Sequence, residues 1–126
     1  MQMLLAVAAG GAIGAVARFL LGGWLEHVVG LAFPWGTLGV NAIGAFLLGC
    51  LAEIMALVWS PAPELRALLT VGVLGAFTTF SAFSLELALM LQRGEWLEGA
   101  GYGAGSVVLC VLALFAGLML FRALLA

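Results

Sequence analysis

The side chains in this sequence that could do chemistry are mostly hydroxyl and amide groups set inside long apolar runs. They are Asn41, Thr78, Thr79, Ser81, Tyr102, Ser106 and Cys110. Hydroxyl and amide groups donate hydrogen bonds, so inside a membrane they either join helices to one another or bind a polar ligand such as an anion. Which of the two they do depends on the helices that position them.

Enzymatic chemistry is not indicated by these residues. The sequence has no nucleophile paired with a base, no cluster of metal ligands and no nucleotide-binding loop. The two cysteines, Cys50 and Cys110, both lie in apolar runs, where a small buried side chain is a more common role than a structural disulfide. We therefore expect a protein that is not an enzyme.

Composition identifies the class of protein. Of the 126 residues, 66% are hydrophobic and 8% are charged, whereas soluble domains are about half apolar and a quarter charged. The roughly ten-residue alternation of β-barrel strands is absent, so we predict an all-α integral membrane protein. At about 20 residues per span, residues 1–126 form a single domain of four transmembrane helices. We place these spans at about residues 3–25, 35–59, 64–92 and 97–124.

The third predicted span is too long to cross a membrane as one straight helix. Residues 64–92 would extend roughly 43 Å at 1.5 Å per residue, against a hydrocarbon core about 30 Å thick. The stretch Gly75–Phe83 has paired threonines, a serine and three phenylalanines, which make a poor helix interior. We predict that the third helix is broken there, which would free backbone carbonyls on one side and N–H groups on the other.

Two polar residues in the first two spans each allow two interpretations. Asn41 lies one helical turn after Thr37 on the same face, and its amide could bridge helices or donate hydrogen bonds to an anion. Arg18 lies inside or near the end of the first apolar run. Its side chain could extend to the membrane surface, or it could pair with an acid or attract an anion.

The fourth span carries a polar stripe. Tyr102, Ser106 and Cys110 are spaced four residues apart, which places them on one face of a helix. They could make three unrelated contacts between helices, or they could form a track of hydroxyl and thiol groups along a pathway.

The few positive charges do not favour one orientation in the membrane. All four are arginines: Arg66 and Arg122 lie on the side of the N-terminus, while Arg93 lies opposite and Arg18 leans that way. This balance permits insertion in both orientations and hence an antiparallel dimer. The arginines form no basic cluster of the kind that binds nucleic acid, so membrane lipid is the expected surrounding and no nucleic-acid partner is expected.

Three motifs resemble those of the CrcB-type (Fluc) fluoride channels, and the resemblance covers all four spans. The motifs are Gly-Ala-Phe-Thr-Thr-Phe-Ser-Ala-Phe at 75–83, Gly-Gly-Ala-Ile-Gly-Ala-Val-Ala-Arg at 10–18, and Gly-Val-Asn-Ala-Ile-Gly at 39–44. The resemblance implies a passive fluoride channel of the cytoplasmic (inner) membrane, which exports fluoride and lowers its toxicity. It also implies a dual-topology homodimer with two antiparallel pores.

The resemblance also implies roles for individual residues. It would place Asn41, Phe80, Phe83, Tyr102, Ser106 and Cys110 on the fluoride pathway. The hydroxyls of Thr79 and Ser81 are further candidate donors to the ion, because a selective pathway must replace its water with hydrogen-bond donors. The family usually has a hydroxyl where this chain has Cys110, so the role of that residue is the most open. Backbone carbonyls of Gly75 and Thr78, two from each subunit, would bind a structural sodium ion at the dimer centre.

Two other functions agree with a small four-helix membrane protein. A small multidrug-type exporter driven by protons needs a buried acid in its first span, where this sequence has only Arg18. A membrane anchor subunit without transport activity would need none of the polar residues in the spans. Fluoride flux through the purified protein distinguishes these alternatives from a channel.

Overall fold

The computed structural model describes all 126 residues, and every regular element is helical. In chain order the elements are α1 (Gln2–Val29), α2 (Trp35–Leu57), α3 (Pro63–Ala67), a π-helical segment (Leu68–Leu74), α4 (Gly75–Phe77), α5 (Phe80–Gln92) and α6 (Trp96–Leu125). They make four stretches that are long and apolar enough to cross a membrane: Gln2–Val29, Trp35–Leu57, Pro63–Gln92 and Trp96–Leu125. The prediction of an all-helical chain with four long apolar helices is confirmed.

Helix α1 extends four residues beyond the predicted end of the first span. Glu26 and His27 follow the apolar run without a helix-breaking residue, so the helix continues to Val29. It ends at Gly30, whose φ of 117° is open mainly to glycine and whose N–H still bonds to the Glu26 carbonyl. The polar end of α1 therefore lies in an ordered helix instead of a loop.

The third span departs from α-helical conformation in two places, the π-helical segment and Thr78–Thr79. It begins with Pro63 in the first turn of α3, where the missing N–H of proline costs nothing. The π-helical segment and α4 follow, and then Thr78 (ψ 151°) and Thr79 (φ −147°, ψ 121°) have extended dihedral angles. The hydroxyl of Thr79 accepts a hydrogen bond of 3.1 Å from the Ala82 N–H, so Thr79 caps the N-terminus of α5.

Glycines set the closest approach of α1 to the third span. A Cβ atom at Gly10 would meet the carbonyl oxygen of Leu68, and one at Gly14 would meet that of Val73. Gly11, on the other side of α1, has no neighbouring atom within 4 Å. Of the three glycines in this run, two allow the backbones to pack directly against each other.

Helices α2 and α6 form the other closely packed pair. Gly49 of α2 lies against the Leu114 carbonyl, and Gly117 of α6 lies against the Phe46 carbonyl. At one end of the pair the guanidinium of Arg122 donates two hydrogen bonds, of 2.8 and 3.3 Å, to the carboxylate of Glu53, which is 4% exposed. This pair of helices forms one wall of the cleft described below.

Candidate functional site

The backbone at Thr79 is held by the side chain of Asn41. The Thr79 N–H donates to Asn41 Oδ1 at 2.7 Å, and Asn41 Nδ2 donates to the Thr79 carbonyl at 3.0 Å. A primary amide carries one acceptor and two donors, so this pairing leaves one N–H of Asn41 for another partner. Asn41 thus joins α2 to the third span, and one of its two amide N–H groups remains free to donate to a ligand.

These bonds redirect the donors that a continuous helix would use. In a continuous helix the Thr79 N–H would bond to the Gly75 carbonyl and the Ala82 N–H to the Thr78 carbonyl. Here the first bonds to Asn41 and the second to the Thr79 hydroxyl. The carbonyls of Gly75 and Thr78 therefore lose their helical donors, and these are the two carbonyls at which the family resemblance implies a sodium ion.

Arg18 satisfies a third carbonyl in the same stretch. Its Nε donates to the carbonyl oxygen of Ala76 at 3.0 Å, in place of the N–H of Phe80 that would approach it in a continuous helix. The side chain is half-buried and forms no salt bridge. In this subunit the guanidinium therefore bonds to the backbone at the end of α4 and not to an acid.

A cleft of about 310 Å³ lies between α2, α5 and α6, and we call it the main cleft because most of the predicted pathway residues line it. Six of the eight predicted pathway residues line it, namely Asn41, Thr79, Phe80, Phe83, Ser106 and Cys110. Ala45, Leu48, Thr78, Val107 and Leu114 complete the lining, which contains no charged residue. The apolar members of this lining carry no signal in the sequence that separates them from other membrane-facing residues.

The two remaining pathway residues lie next to the main cleft. Ser81 is exposed, and its hydroxyl lies 3.3 Å from that of Thr79. Tyr102 is 1% exposed, and its ring centre lies 5.0 Å from that of Phe83. Each of them contacts a residue that lines the cleft.

The two phenylalanines of the cleft differ in exposure. Phe80 is 77% exposed and Phe83 is 9% exposed, although their ring centres are 5.5 Å apart. Phe83 is held in the small core with Met90 and Tyr102, whereas Phe80 stands at the open side of the cleft. An aromatic ring has a positive edge and a negative face, so the two rings can attract an anion weakly at their edges.

Two hydroxyl groups of the polar stripe are buried without a hydrogen-bond partner, those of Tyr102 and Ser106. Most buried polar groups in proteins are paired, and one left unpaired costs about 1–3 kcal/mol. Cys110, one turn beyond Ser106, is half-buried. The Ser106 hydroxyl lines the main cleft and can donate to a small polar ligand there, whereas the Tyr102 hydroxyl lies beside Thr37 and Glu86.

A second cleft, of about 200 Å³, lies between α1, α2 and the start of α5. Arg18, Glu26, Thr37 and Thr79 are its polar lining residues. Because Thr79 lines both clefts, the backbone held by Asn41 lies between them.

The contact between Thr37 and Glu86 was not anticipated from the sequence. The Thr37 hydroxyl donates to Glu86 Oε1 at 2.5 Å, which joins α2 to α5 one turn away from Asn41. Two signals could have indicated it: Thr37 shares a helix face with Asn41, and Glu86 is the one acid within α5. Neither signal identifies the residue on another helix that Thr37 or Glu86 contacts.

The arrangement provides neutral donors and aromatic edges around an uncharged cleft. Hydroxyl and amide donors can replace the water around a small anion, and the lack of a fixed positive charge in the main cleft keeps each contact weak. Weak contacts at several positions favour passage of an ion over its retention.

Comparison with known proteins gives consistent matches over nearly the whole chain. A family model described as CrcB-like protein, Camphor Resistance (CrcB), matches residues 5–118. A protein of Rhodospirillum centenum named fluoride-specific ion channel FluC is 58% identical over 122 residues, which is 97% of both chains. Proteins with the same name are 50% identical in Rhizobium meliloti, over 98% of this chain and 99% of that one, and 51% identical in Caulobacter vibrioides, over 97% of both.

Proposed function

This chain belongs to the CrcB-like family, and we propose that it is a fluoride-selective ion channel. It conducts fluoride passively out of the cytoplasm and so lowers the toxicity of the ion inside the cell. The observation that carries the proposal is the convergence on one uncharged cleft of six polar and aromatic side chains from α2, α5, α6 and the segment before α5.

Fluoride fits the chemistry of this cleft. The ion is small and holds its water strongly, so a selective pathway must supply hydrogen-bond donors in place of that water. The free N–H of Asn41 and the unpaired hydroxyls of Tyr102 and Ser106 are such donors. Phe80 and Phe83 add ring edges, which attract an anion without binding it tightly.

The third helix of the proposed channel is broken in the membrane at Thr78 and Thr79. The extended dihedral angles of these two residues support this interpretation, as does the length of the Pro63–Gln92 stretch. A break at membrane depth needs partners for its backbone groups, and Asn41 and Arg18 supply three of the hydrogen bonds.

The functional unit that we propose is an antiparallel homodimer of four-helix subunits, surrounded by the lipid of the cytoplasmic membrane. In one subunit the main cleft is open beside Phe80, which is 77% exposed. A second copy would close that side and complete the pathway. The even distribution of the four arginines supports insertion in both orientations.

The dimer would hold a structural sodium ion on the backbone carbonyls of Gly75 and Thr78. The loss of helical donors at both carbonyls supports this assignment, since carbonyl oxygens are suitable ligands for a hard cation. Gly75 is exposed in one subunit, which leaves room for the same two carbonyls of its partner. Bound there, sodium would supply positive charge to oxygen atoms that otherwise lack donors.

Flux from liposomes tests the function. Purified protein should release fluoride much faster than chloride, and it should do so without a proton gradient. Equal rates for the two halides would refute selectivity, proton-coupled movement of organic cations would favour an exporter, and no flux would favour an anchor subunit. Replacing sodium with a large organic cation throughout purification should reduce fluoride flux if the proposed sodium site is correct.

A further inference from the structure

The main cleft contains one soft nucleophile, the thiol of Cys110. It follows Ser106 by one helical turn, and both residues line the cleft. Ser106 is 8% exposed and its hydroxyl has no hydrogen-bond partner, which indicates independently that this part of the cleft accepts a ligand. Cys110 is less buried, so its sulfur is the more accessible of the two.

The other cysteine is placed quite differently. Cys50 is 7% exposed and lies where α2 packs against α6, and a Cβ atom at Gly117 would be 3.2 Å from its sulfur. It does not line any of the clefts described above. The chain therefore contains two thiols, one in the cleft and one packed between helices, which form a matched pair for an experiment.

We propose that Cys110 is a modification site at which a thiophilic metal ion closes the pathway, an inference that rests on the proposed function. Thiolate sulfur is a preferred ligand of soft metal ions. Binding of Hg²⁺ replaces the thiol proton, which passes to water, and forms a sulfur–mercury bond. The bound ion then occupies a cleft of about 310 Å³ and places a positive charge where a small anion would be held instead of passed on.

The lining of the cleft favours this site over others in the protein. No charged side chain lines the main cleft, so none repels the metal ion or competes for it there. Ser106 offers a hydroxyl oxygen one turn away as a weak second contact. No group of three or more histidine, cysteine or acidic side chains in the chain could hold a metal ion, so single thiols are the soft ligands that it offers.

The test uses full-length protein in liposomes, with fluoride efflux measured before and after addition of Hg²⁺. The fluoride flux of wild type and that of Cys50→Ala should each fall at least about tenfold, because the adduct fills the pathway. Dithiothreitol should restore the flux. Cys110→Ser, compared with its own untreated rate, should change less than about twofold because the soft ligand is gone. Equal inhibition of Cys110→Ser, or no inhibition of wild type, would overturn the proposal.

Intact-mass measurement of the same samples separates this proposal from the function on which it rests. A mercury adduct on Cys50→Ala that is missing from Cys110→Ser supports the site whether or not the protein conducts. If untreated wild type shows no fluoride efflux, the proposed function fails. The number of mercury adducts on each variant then tests the Cys110 site by itself. Absence of an adduct on Cys50→Ala overturns the site.

Discussion

The side-chain amide of Asn41 forms reciprocal hydrogen bonds of 2.7 and 3.0 Å with the backbone N–H and carbonyl of Thr79. An amide side chain here takes the place of a neighbouring turn of helix, because it offers the same acceptor and donor that a peptide group would offer. The extended backbone before α5 is therefore compatible with an apolar surrounding. Asn41 both supports the backbone and lines the main cleft.

Replacing Asn41 should affect stability and transport together. Asn41→Leu keeps the size of the side chain but leaves the Thr79 N–H and carbonyl without partners, which costs about 1–3 kcal/mol for an unpaired buried group. We expect a lower midpoint of thermal unfolding in detergent and loss of fluoride flux from liposomes. Thr70→Val is the control, since the Thr70 hydroxyl bonds only to the Arg66 carbonyl of its own helical stretch. Unchanged stability of Asn41→Leu would contradict the role of the pair.

Removing either of the two unpaired hydroxyls should lower transport without lowering stability, unlike the replacement of Asn41. Ser106→Ala and Tyr102→Phe remove polar groups that have no partner in the subunit, so neither change should lower the midpoint of thermal unfolding. Both should lower fluoride flux, because a donor to the ion is lost. A lower unfolding midpoint with normal flux would instead show that the hydroxyls bridge helices.

Phe80 provides a test in which packing contributes little. It is 77% exposed, so Phe80→Ile should leave the subunit as stable as wild type. Fluoride flux should fall at least about tenfold, because an aliphatic side chain has no positive edge to attract the anion. Phe115→Ile on α6 is the matched control, since Phe115 is 53% exposed and does not line the main cleft. Equal flux in the two variants would remove Phe80 from the pathway.

The glycines of α1 allow a comparison within one run. Gly14→Ala places a methyl group against the Val73 backbone, and overpacking of this kind costs about 1–3 kcal/mol. Gly11→Ala meets no atom within 4 Å and should be neutral or stabilising by up to about 1 kcal/mol, since alanine favours a helix. Thermal unfolding in detergent measures both. Similar midpoints for the two variants would contradict the close approach of α1 to the third span.

Much of the site could be predicted from the sequence because its signals are local. The stretch Gly75–Phe83 is a poor helix interior by residue type, but only Thr78 and Thr79 have extended dihedral angles, and the residues on either side of them are helical. The spacing of Ser106 and Cys110 places them on one helix face, and both line the main cleft. The end of α1 was predicted less well, because the apolar run ends before the helix does.

Composition and spacing are enough to predict the class of protein, its four apolar helices and the helix faces on which its polar residues lie. The partners of those residues depend on how the helices pack. Asn41 and Thr79 are 38 positions apart, Arg18 and Ala76 are 58 apart, and Thr37 and Glu86 are 49 apart. Helix periodicity predicts which side of a helix a polar group occupies, but a hydrogen bond forms only where the distance between donor and acceptor is correct to within a few tenths of an ångström. Those distances are set by packing, such as the direct approach of backbones at Gly10 and Gly14, and no local pattern contains them.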